Sequence, residues 1–324
     1  MTIDNLKYFF LTLLLCLPFW WGINLFENNL EEIFYLQEIS KNPQIFLAQL
    51  DLNQGKETVE PFQKEVENFQ IKAESAISVW LNSKNEEKIL FEKDYNPPTT
   101  LPQERAPDKV LPIASLTKLM TGFVVLEYYP DLSKIVEISP EAIFQNGDQG
   151  NLKVGERLTI ENLLYIMLIE SSNDAAYTLS EVISPESFVD LMNFEAKYLG
   201  MENTHFVDPM GISPENRSTA KDLVVLTKNL LGKPLIWEIL AKPEFNLYTP
   251  DGVFHHRLQN TNELLTKIPE IIGGKTGYLP EAKECFLLVL KEPNDKGVII
   301  NIILGSENNK FEEMEKLINL VTRD

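Results

Sequence analysis

The chain has 324 residues, 44% of them hydrophobic, and a formal net charge of −19. The apolar content predicts a folded core and argues against a disordered chain. The negative charge would be repelled by phosphates, so we expect no nucleic-acid partner. Cys16 and Cys285 lie far apart and predict neither a disulfide framework nor a cysteine metal site. The three histidines lack the spacing of a zinc site, so we expect no metal and no cofactor.

The N-terminal region has the pattern of a membrane anchor. Residues 8–26 form a run of 19 residues without charge, about long enough to cross the ~30 Å of hydrocarbon in a bilayer. Lys7 precedes the run and acidic residues follow it, which favours a single-pass protein of the cell membrane with its folded part on the extracytoplasmic side. A cleaved signal peptide is the alternative. We therefore predict a transmembrane anchor at 1–27, an acidic stem at 28–72 and one folded domain at 73–324.

Strands are predicted near both ends of the domain, with helices between them and a last helix at the C-terminal end. Residues 73–94 have the pattern of a β-hairpin, and 95–109, with four prolines, predict an exposed loop. Apolar residues at helical spacing predict a helix between Pro112 and Pro130. Further helices are predicted at 159–170, from Ala175, at 185–198, 221–231 and 311–321, and strands at 272–278, 285–291 and 298–304. This order predicts an α+β domain whose terminal strands pair in a single antiparallel sheet.

Ser115 and Lys118 lie three residues apart at the predicted start of the first helix. Positions i and i+3 share a helix face, so the Lys118 amine can reach the Ser115 hydroxyl. A serine becomes a nucleophile when a base takes its proton, and a lysine can be that base only where burial or nearby cations lower its pKa. The N-terminal end of the helix would also stabilise an oxyanion. The pair alone is weak evidence for catalysis, because Ser218 and Lys221 have the same spacing.

Two further motifs follow in order along the chain. Ser171-Ser-Asn173 ends an apolar helix, and Lys275-Thr276-Gly277 lies in a predicted strand. Each has an ordinary explanation as a helix cap or a strand end. Together with the first pair they match the motif set of penicillin-binding proteins and class A β-lactamases.

Longer stretches carry the resemblance further: 113–121 (IASLTKLMT), 161–176, 205–211 (HFVDPMG), 218–223, 260–265 and 273–278 (GGKTGY). From about residue 74 to 321 the chain resembles the low-molecular-weight penicillin-binding proteins of serine peptidase family S11, which are D-alanyl-D-alanine carboxypeptidases. The resemblance implies a DD-peptidase/β-lactamase-like fold, with an antiparallel sheet flanked by helices and an all-helical subdomain. It also places Ser218 in a helix-start signature and not at the nucleophile.

The resemblance implies a role for four catalytic side chains. Ser115 would attack the carbonyl between two D-alanines and form an acyl-enzyme, and Lys118 would take its proton. Ser171 would relay a proton to the leaving D-alanine. Asn173 would hold Lys118 and the substrate amide.

Five more residues are implied in substrate binding. Lys275 would add positive potential and, with Thr276, bind the terminal carboxylate of the substrate. Gly277 would let the strand approach the substrate backbone, and the backbone N–H of Tyr278 would form an oxyanion hole with that of Ser115. Lys310 stands where relatives often carry an arginine that helps to bind the carboxylate. A lysine ammonium is a point charge, whereas an arginine guanidinium can donate two parallel hydrogen bonds to a carboxylate.

The leading hypothesis is a membrane-anchored serine carboxypeptidase that removes the terminal D-alanine of peptidoglycan stem peptides and is covalently inhibited by β-lactam antibiotics. A DD-endopeptidase that cuts cross-links would use the same residues, and a catalytically weak peptidoglycan-binding scaffold is a further alternative. A β-lactamase is disfavoured, because Ser172 stands where class A enzymes have aspartate. Met210 and Arg217 stand where relatives usually carry histidine, which bears on specificity more than on the chemistry.

Overall fold

The computed structural model describes residues 71–94, 109–147, 150–292, 297–307 and 309–322. The anchor predicted at 1–27 and almost all of the stem predicted at 28–72 lie outside the described residues, as does most of the proline-containing loop at 95–109. No helix within the described ranges is long and apolar enough to cross a membrane.

The regular elements alternate along the chain. The strands are β1 (Ser75–Leu81), β2 (Glu87–Asp94), β3 (Leu111–Pro112), β4 (Ile135–Glu137), β5 (Arg157–Thr159), β6 (Arg217–Ser218), β7 (Glu244–Tyr248), β8 (Phe254–Gln259), β9 (Ile271–Leu279), β10 (Lys283–Lys291) and β11 (Val298–Ser306). The helices are α1 (Thr117–Tyr128), α2 (Pro140–Ile143), α3 (Ile160–Ile169), α4 (Asn173–Glu181), α5 (Pro185–Tyr198), α6 (Ala220–Leu230), α7 (Pro234–Leu240) and α8 (Lys310–Val321).

The main sheet has five antiparallel strands in the order β2-β1-β11-β10-β9. The prediction of an α+β domain with its terminal strands in one antiparallel sheet is therefore confirmed. Every residue of β11 is buried, as expected of a central strand that is covered on both faces. Ile300 and Ile302 belong to the same core as helix α6, whereas Ile299 and Ile303 pack with α8, because successive side chains of a strand point to opposite faces.

Helix α3 lies at the centre of the helical part of the domain. Its residues are almost all buried, and it contacts α1, α4 and α7. Thr159 begins the helix with a capping box, since its hydroxyl accepts from the Asn162 N–H and the Asn162 side chain accepts from the Thr159 N–H. The all-helical subdomain predicted from the sequence is present, and α3 delivers the chain to Ser171.

Several elements, including α2 and the short strands β3 to β6, were not predicted, and one helix begins earlier than expected. Helix α7 and the β7–β8 hairpin have no counterpart in the sequence-based expectation. The hairpin buries only Leu247 and Leu258 fully, so its alternation is too weak to recognise. Helix α4 begins at Asn173 and not at Ala175, because the Ser172 hydroxyl accepts from the Ala175 N–H at 3.2 Å and caps the helix.

Candidate active site

Ser115 lies in a 3-10 turn, Ala114–Leu116, between β3 and helix α1. Strand β3 pairs with β6, and the Ile113 N–H donates to the Asn216 carbonyl at 3.0 Å. These bonds fix the chain immediately before the turn. Ala114 has a φ of 47°, in the left-handed region that residues other than glycine seldom occupy. This conformation is strained, and the packing around the turn maintains it.

Lys118 is fully buried, one turn into the same segment. Its Nζ lies 3.0 Å from Ser115 Oγ, 2.7 Å from Asn173 Oδ1 and 2.5 Å from the Met210 carbonyl oxygen. Burial lowers the pKa of the amine from 10.5 to about 7, while the charge of Asp208 acts in the opposite direction. An amine that has lost one of its three protons keeps two N–H donors and gains a lone pair. Donation to Asn173 and Met210 leaves that lone pair for the Ser115 hydroxyl.

Asn173 uses both ends of its side-chain amide within the protein. Its Oδ1 accepts from Lys118 Nζ, and its Nδ2 donates to the Asn146 carbonyl oxygen. The residue is the first of helix α4 and is half-buried. Asn173 therefore connects the buried amine with the residues that follow α2.

Ser171 faces a second buried lysine. Only three residues separate α3 from α4, and Ser171 within them has a φ of 64°, in the left-handed region. Its Oγ accepts from Lys275 Nζ at 2.8 Å, and the same amine donates to the Thr276 carbonyl at 3.0 Å. Burial, followed by the charges of Lys118 and Lys310, lowers the pKa of Lys275 well below its ordinary value. The Lys118 and Lys275 amines thus disfavour each other's protonation.

Strand β9 forms one wall of the site. A Cβ atom added at Gly277 would lie only 3.0 Å from the Ser115 backbone nitrogen, so glycine allows β9 to pass against the turn that carries Ser115. Thr276 Oγ1 donates to Thr261 Oγ1 at 2.7 Å, and the Thr261 N–H donates to the Ile169 carbonyl at 3.2 Å. These two bonds connect β9 to the end of α3, just before Ser171.

The other two predicted substrate-binding residues lie at the outer end of β9 and at the start of α8. Tyr278 is 64% exposed and pairs with Glu284 across the β9–β10 ladder. Lys310 donates from Nζ to Glu284 Oε1 at 2.9 Å, and its ammonium lies 4.8 Å from the centre of the Phe311 ring. The Lys310 charge therefore already has a carboxylate partner, although it still acts on Lys275.

Several contributors to the site were not identified from the sequence as functional. They are the backbone carbonyls of Asn146 and Met210 and the side chains of Asp208 and Thr261. The signal available for Asp208 was the turn pattern Asp-Pro-x-Gly at 208–211, which indicates a loop but not its target. Among the described residues, no group of three or more histidine, cysteine, aspartate or glutamate side chains is placed to hold a metal ion.

Known proteins share both the sequence and the fold. A family model described as D-alanyl-D-alanine carboxypeptidase (peptidase S11) matches residues 62–308. The D-alanyl-D-alanine carboxypeptidase DacF of Bacillus subtilis is 32% identical over 256 residues, which cover 76% of this chain and 62% of the relative. A D-alanyl-D-alanine endopeptidase of Pseudomonas aeruginosa is 35% identical over 188 residues, covering 57% of this chain and 61% of the relative. The chain spans about three-fifths of the length of these curated relatives.

Two solved structures have the same fold over nearly their whole length. A D-alanyl-D-alanine carboxypeptidase from Mycobacterium tuberculosis aligns with a TM-score of 0.68 and 25% identity, covering 81% of this chain and 95% of the other. The DD-transpeptidase of Streptomyces K15 also aligns with a TM-score of 0.68, at 27% identity, covering 79% of this chain and 98% of the other. The expected DD-peptidase fold is confirmed.

Substituting Gly211 tests how tightly the Ser115 turn is packed. A Cβ atom at Gly211 would lie 2.1 Å from the Ala114 carbonyl oxygen, whereas one at Gly252 would meet nothing within 4 Å. Both glycines have a φ near 80°, so Gly252→Ala should lower the free energy of unfolding by about 1–2 kcal/mol through strain alone. Gly211→Ala should cost about 1–3 kcal/mol more, because the turn must shift. Equal losses in urea unfolding of the two variants would contradict the close packing.

Proposed function

We propose, since the chain belongs to the D-alanyl-D-alanine carboxypeptidase family of serine peptidases (peptidase S11), that it removes the terminal D-alanine of peptidoglycan stem peptides through an acyl-enzyme on Ser115. One observation supports this most directly. The amine of Lys118 lies 3.0 Å from Ser115 Oγ and is fully buried, with a pKa of about 7. A lysine of ordinary pKa would be protonated at neutral pH and could not accept a proton, whereas this one can.

The first step forms the acyl-enzyme. Ser115 Oγ attacks the carbonyl carbon of the peptide bond between the two D-alanines, and its proton passes to the lone pair of Lys118. We expect the backbone N–H groups of Ser115 and Tyr278 to stabilise the negative charge that develops on the carbonyl oxygen. The close approach of Gly277, the residue before Tyr278, to the Ser115 nitrogen supports this expectation.

The leaving D-alanine needs a proton on its nitrogen. Ser171 supplies it by relay, since its Oγ is hydrogen-bonded to the Lys275 amine and lies at the turn next to Asn173. Water then hydrolyses the ester: its hydroxyl bonds to the acyl carbon, and the bond between that carbon and Ser115 Oγ breaks. Ser115 takes back the proton held by Lys118, and the proton of the water replaces the one that the Ser171 relay gave to D-alanine. Asn173 keeps the Lys118 amine oriented through Oδ1, and the Nδ2 hydrogen that does not bond to Asn146 can donate to the substrate.

The terminal carboxylate of the substrate binds at Lys275 and Thr276. A carboxylate beside Lys275 favours the ammonium form of that lysine, against the effect of burial. The resulting charge opposes protonation of Lys118, so the bound substrate itself favours the basic form of the catalytic amine. Lys310 adds positive potential from the start of α8 but shares its charge with Glu284.

Cleavage of cross-links is the second candidate function. It is favoured by the relatives that are named D-alanyl-D-alanine endopeptidases, one of them 36% identical over 216 residues. A cross-linked substrate presents the same D-alanyl bond but a larger leaving group, so the residues around Ser115 would serve both reactions. The room available to the leaving group would decide between the two reactions.

The proposed substrate implies where in the cell the enzyme acts. Peptidoglycan lies outside the cytoplasm, and we propose that residues 1–27 anchor the chain in the cell membrane with residues 73–324 on the extracytoplasmic side. The full chain should then remain with the membrane after alkaline washing, and a variant lacking residues 1–27 should not. Release of both forms by the wash would contradict the anchor.

Labelling with a fluorescent penicillin tests the nucleophile. The lactam ring should acylate Ser115, so the wild-type protein should be labelled and Ser115→Ala should lose at least about 99% of the label. Lys221→Ala is a matched control, because Lys221 lies in the other Ser-x-x-Lys sequence and pairs with Glu92 at 2.8 Å. It should be labelled like the wild type. Equal labelling of Ser115→Ala and wild type would overturn Ser115 as the nucleophile.

Two substrates distinguish the candidate reactions. D-alanine release from a stem pentapeptide and cleavage of a cross-linked dimer would be measured at equal enzyme concentration, with Ser115→Ala as the blank. We expect faster release from the pentapeptide, because its leaving group, a single D-alanine, is the smaller of the two. Preference for the dimer would establish the endopeptidase, and acylation by penicillin without either reaction would support a peptidoglycan-binding scaffold.

A further inference from the structure

Asp208 organises a loop that none of the proposed catalytic residues belongs to. The loop runs from 208 to 216, and a β-bridge between His205 and Arg217, the first residue of β6, pairs the chain before the loop with the chain after it. The Asp208 carboxylate accepts four short hydrogen bonds from within it: from the N–H groups of Met210 at 2.8 Å, Gly211 at 2.6 Å and Ser213 at 2.9 Å, and from Asn216 Nδ2 at 2.7 Å. One carboxylate therefore holds the beginning and the end of the loop together.

The loop delivers a backbone carbonyl to the buried amine. The Met210 oxygen accepts from Lys118 Nζ at 2.5 Å, and the peptide units on both sides of Met210 donate to Asp208. Thr121, one turn further along α1, donates to the Pro209 carbonyl at 2.6 Å and ties the same loop to the helix. The position of the Met210 oxygen thus depends on Asp208 and on Thr121.

That carbonyl controls the direction of the lone pair on Lys118. The neutral amine has two N–H groups, which donate to Asn173 Oδ1 and to the Met210 oxygen. Loss of either acceptor would let the amine rotate and point an N–H, in place of its lone pair, towards Ser115. A misdirected base slows proton transfer, because the geometry required is narrow.

The charge of Asp208 acts on the same amine. The charged groups around Lys118 come from two other segments: Asp208 from the loop and Lys275 from β9. Burial disfavours the protonated form of Lys118, and the negative charge of Asp208 favours it. The charge of Lys118 in turn lowers the pKa of Lys275, because two neighbouring ammonium groups repel each other. Asp208 therefore keeps the pKa of Lys118 from falling further.

We propose that Asp208 is a positioning residue for the general base: it directs the lone pair of Lys118 at Ser115 through the Met210 carbonyl, and its charge balances the burial of the amine. This inference rests on the proposed acylation of Ser115. It predicts that neutralising Asp208 changes both the pH dependence and the maximal rate of acylation.

Asp208→Asn and Asp222→Asn form a matched pair. Asp222 also holds a loop through its carboxylate, accepting from the Asn203 N–H at 2.9 Å and from Thr204 Oγ1 at 2.7 Å, and both of these donors lie outside the segment around Met210. Both changes preserve shape and remove one negative charge. A role limited to stability would affect the two variants alike.

Two measurements follow the base directly. The first is carbon-13 NMR of labelled lysine, with the Lys118 signal assigned by its loss in Lys118→Ala; in the wild type this signal should titrate near pH 7. The second is the rate of acylation by fluorescent penicillin, which should rise with pH through the same value. In Asp208→Asn both midpoints should move down by at least about half a pH unit, because the ammonium form loses a nearby negative charge. The maximal rate should fall about tenfold. Asp222→Asn should keep the wild-type midpoints and rate.

An Asp208→Asn protein with the wild-type titration and maximal rate would overturn the inference. If the Lys118 titration shifts in Asp208→Asn but penicillin does not acylate the wild type, the proposed function is rejected. The effect of Asp208 on the Lys118 amine would then still stand. Thr121→Val provides the test if Asp208→Asn does not fold, since valine matches the shape of threonine. It removes the 2.6 Å bond to the Pro209 carbonyl and a longer 3.4 Å bond to the Thr117 carbonyl within the same helix. It should slow acylation several-fold with an unchanged midpoint, and a wild-type rate would also overturn the inference.

Discussion

The interior position of the Lys118 amine is the constraint around which the site is built. An amine buried without partners would be costly, and this one is surrounded by three oxygen atoms from three parts of the chain: Ser115, Asn173 and Met210. The surroundings lower its pKa to about 7 without removing its hydrogen bonds. A group that is a cation on most protein surfaces is thereby made available as a base, at a cost that the packing of the surrounding helices must offset.

The same constraint explains how the walls of the cleft are connected. The turn of Ser115 touches β9 at Gly277, and β9 is linked through Thr276 and Thr261 to the end of α3. Helix α3 in turn leads to Ser171, which accepts from Lys275 of β9. The contacts form a closed ring in which the sheet and the helical subdomain hold each other. A small displacement of one wall would therefore displace the others.

Much of this could be predicted from the sequence, because the decisive signals were local. The three-residue spacing of Ser115 and Lys118 placed both on one face of a helix, and the long apolar strands near the C-terminus indicated the sheet. The sequence could not reveal that the Met210 carbonyl meets Lys118, since a backbone oxygen has no side-chain signature and its donor lies 92 positions away. The β7–β8 hairpin was missed for the related reason that its few buried residues follow no clear period.

The position of β11 in the sheet has a consequence for how the domain forms. This strand is the last of the five along the chain, yet it lies between β1 and β10, and its Asn301 accepts from Ser78, a residue 223 positions earlier. The β1–β2 and β9–β10 hairpins can form locally, but neither has its inner neighbour until residues 298–306 arrive. Such distant pairing slows folding, because the entropy of closing a long loop is lost before the contacts are gained. During synthesis two unpaired strand edges therefore stay open until nearly the whole domain has emerged, and in that interval the chain depends on protection from aggregation.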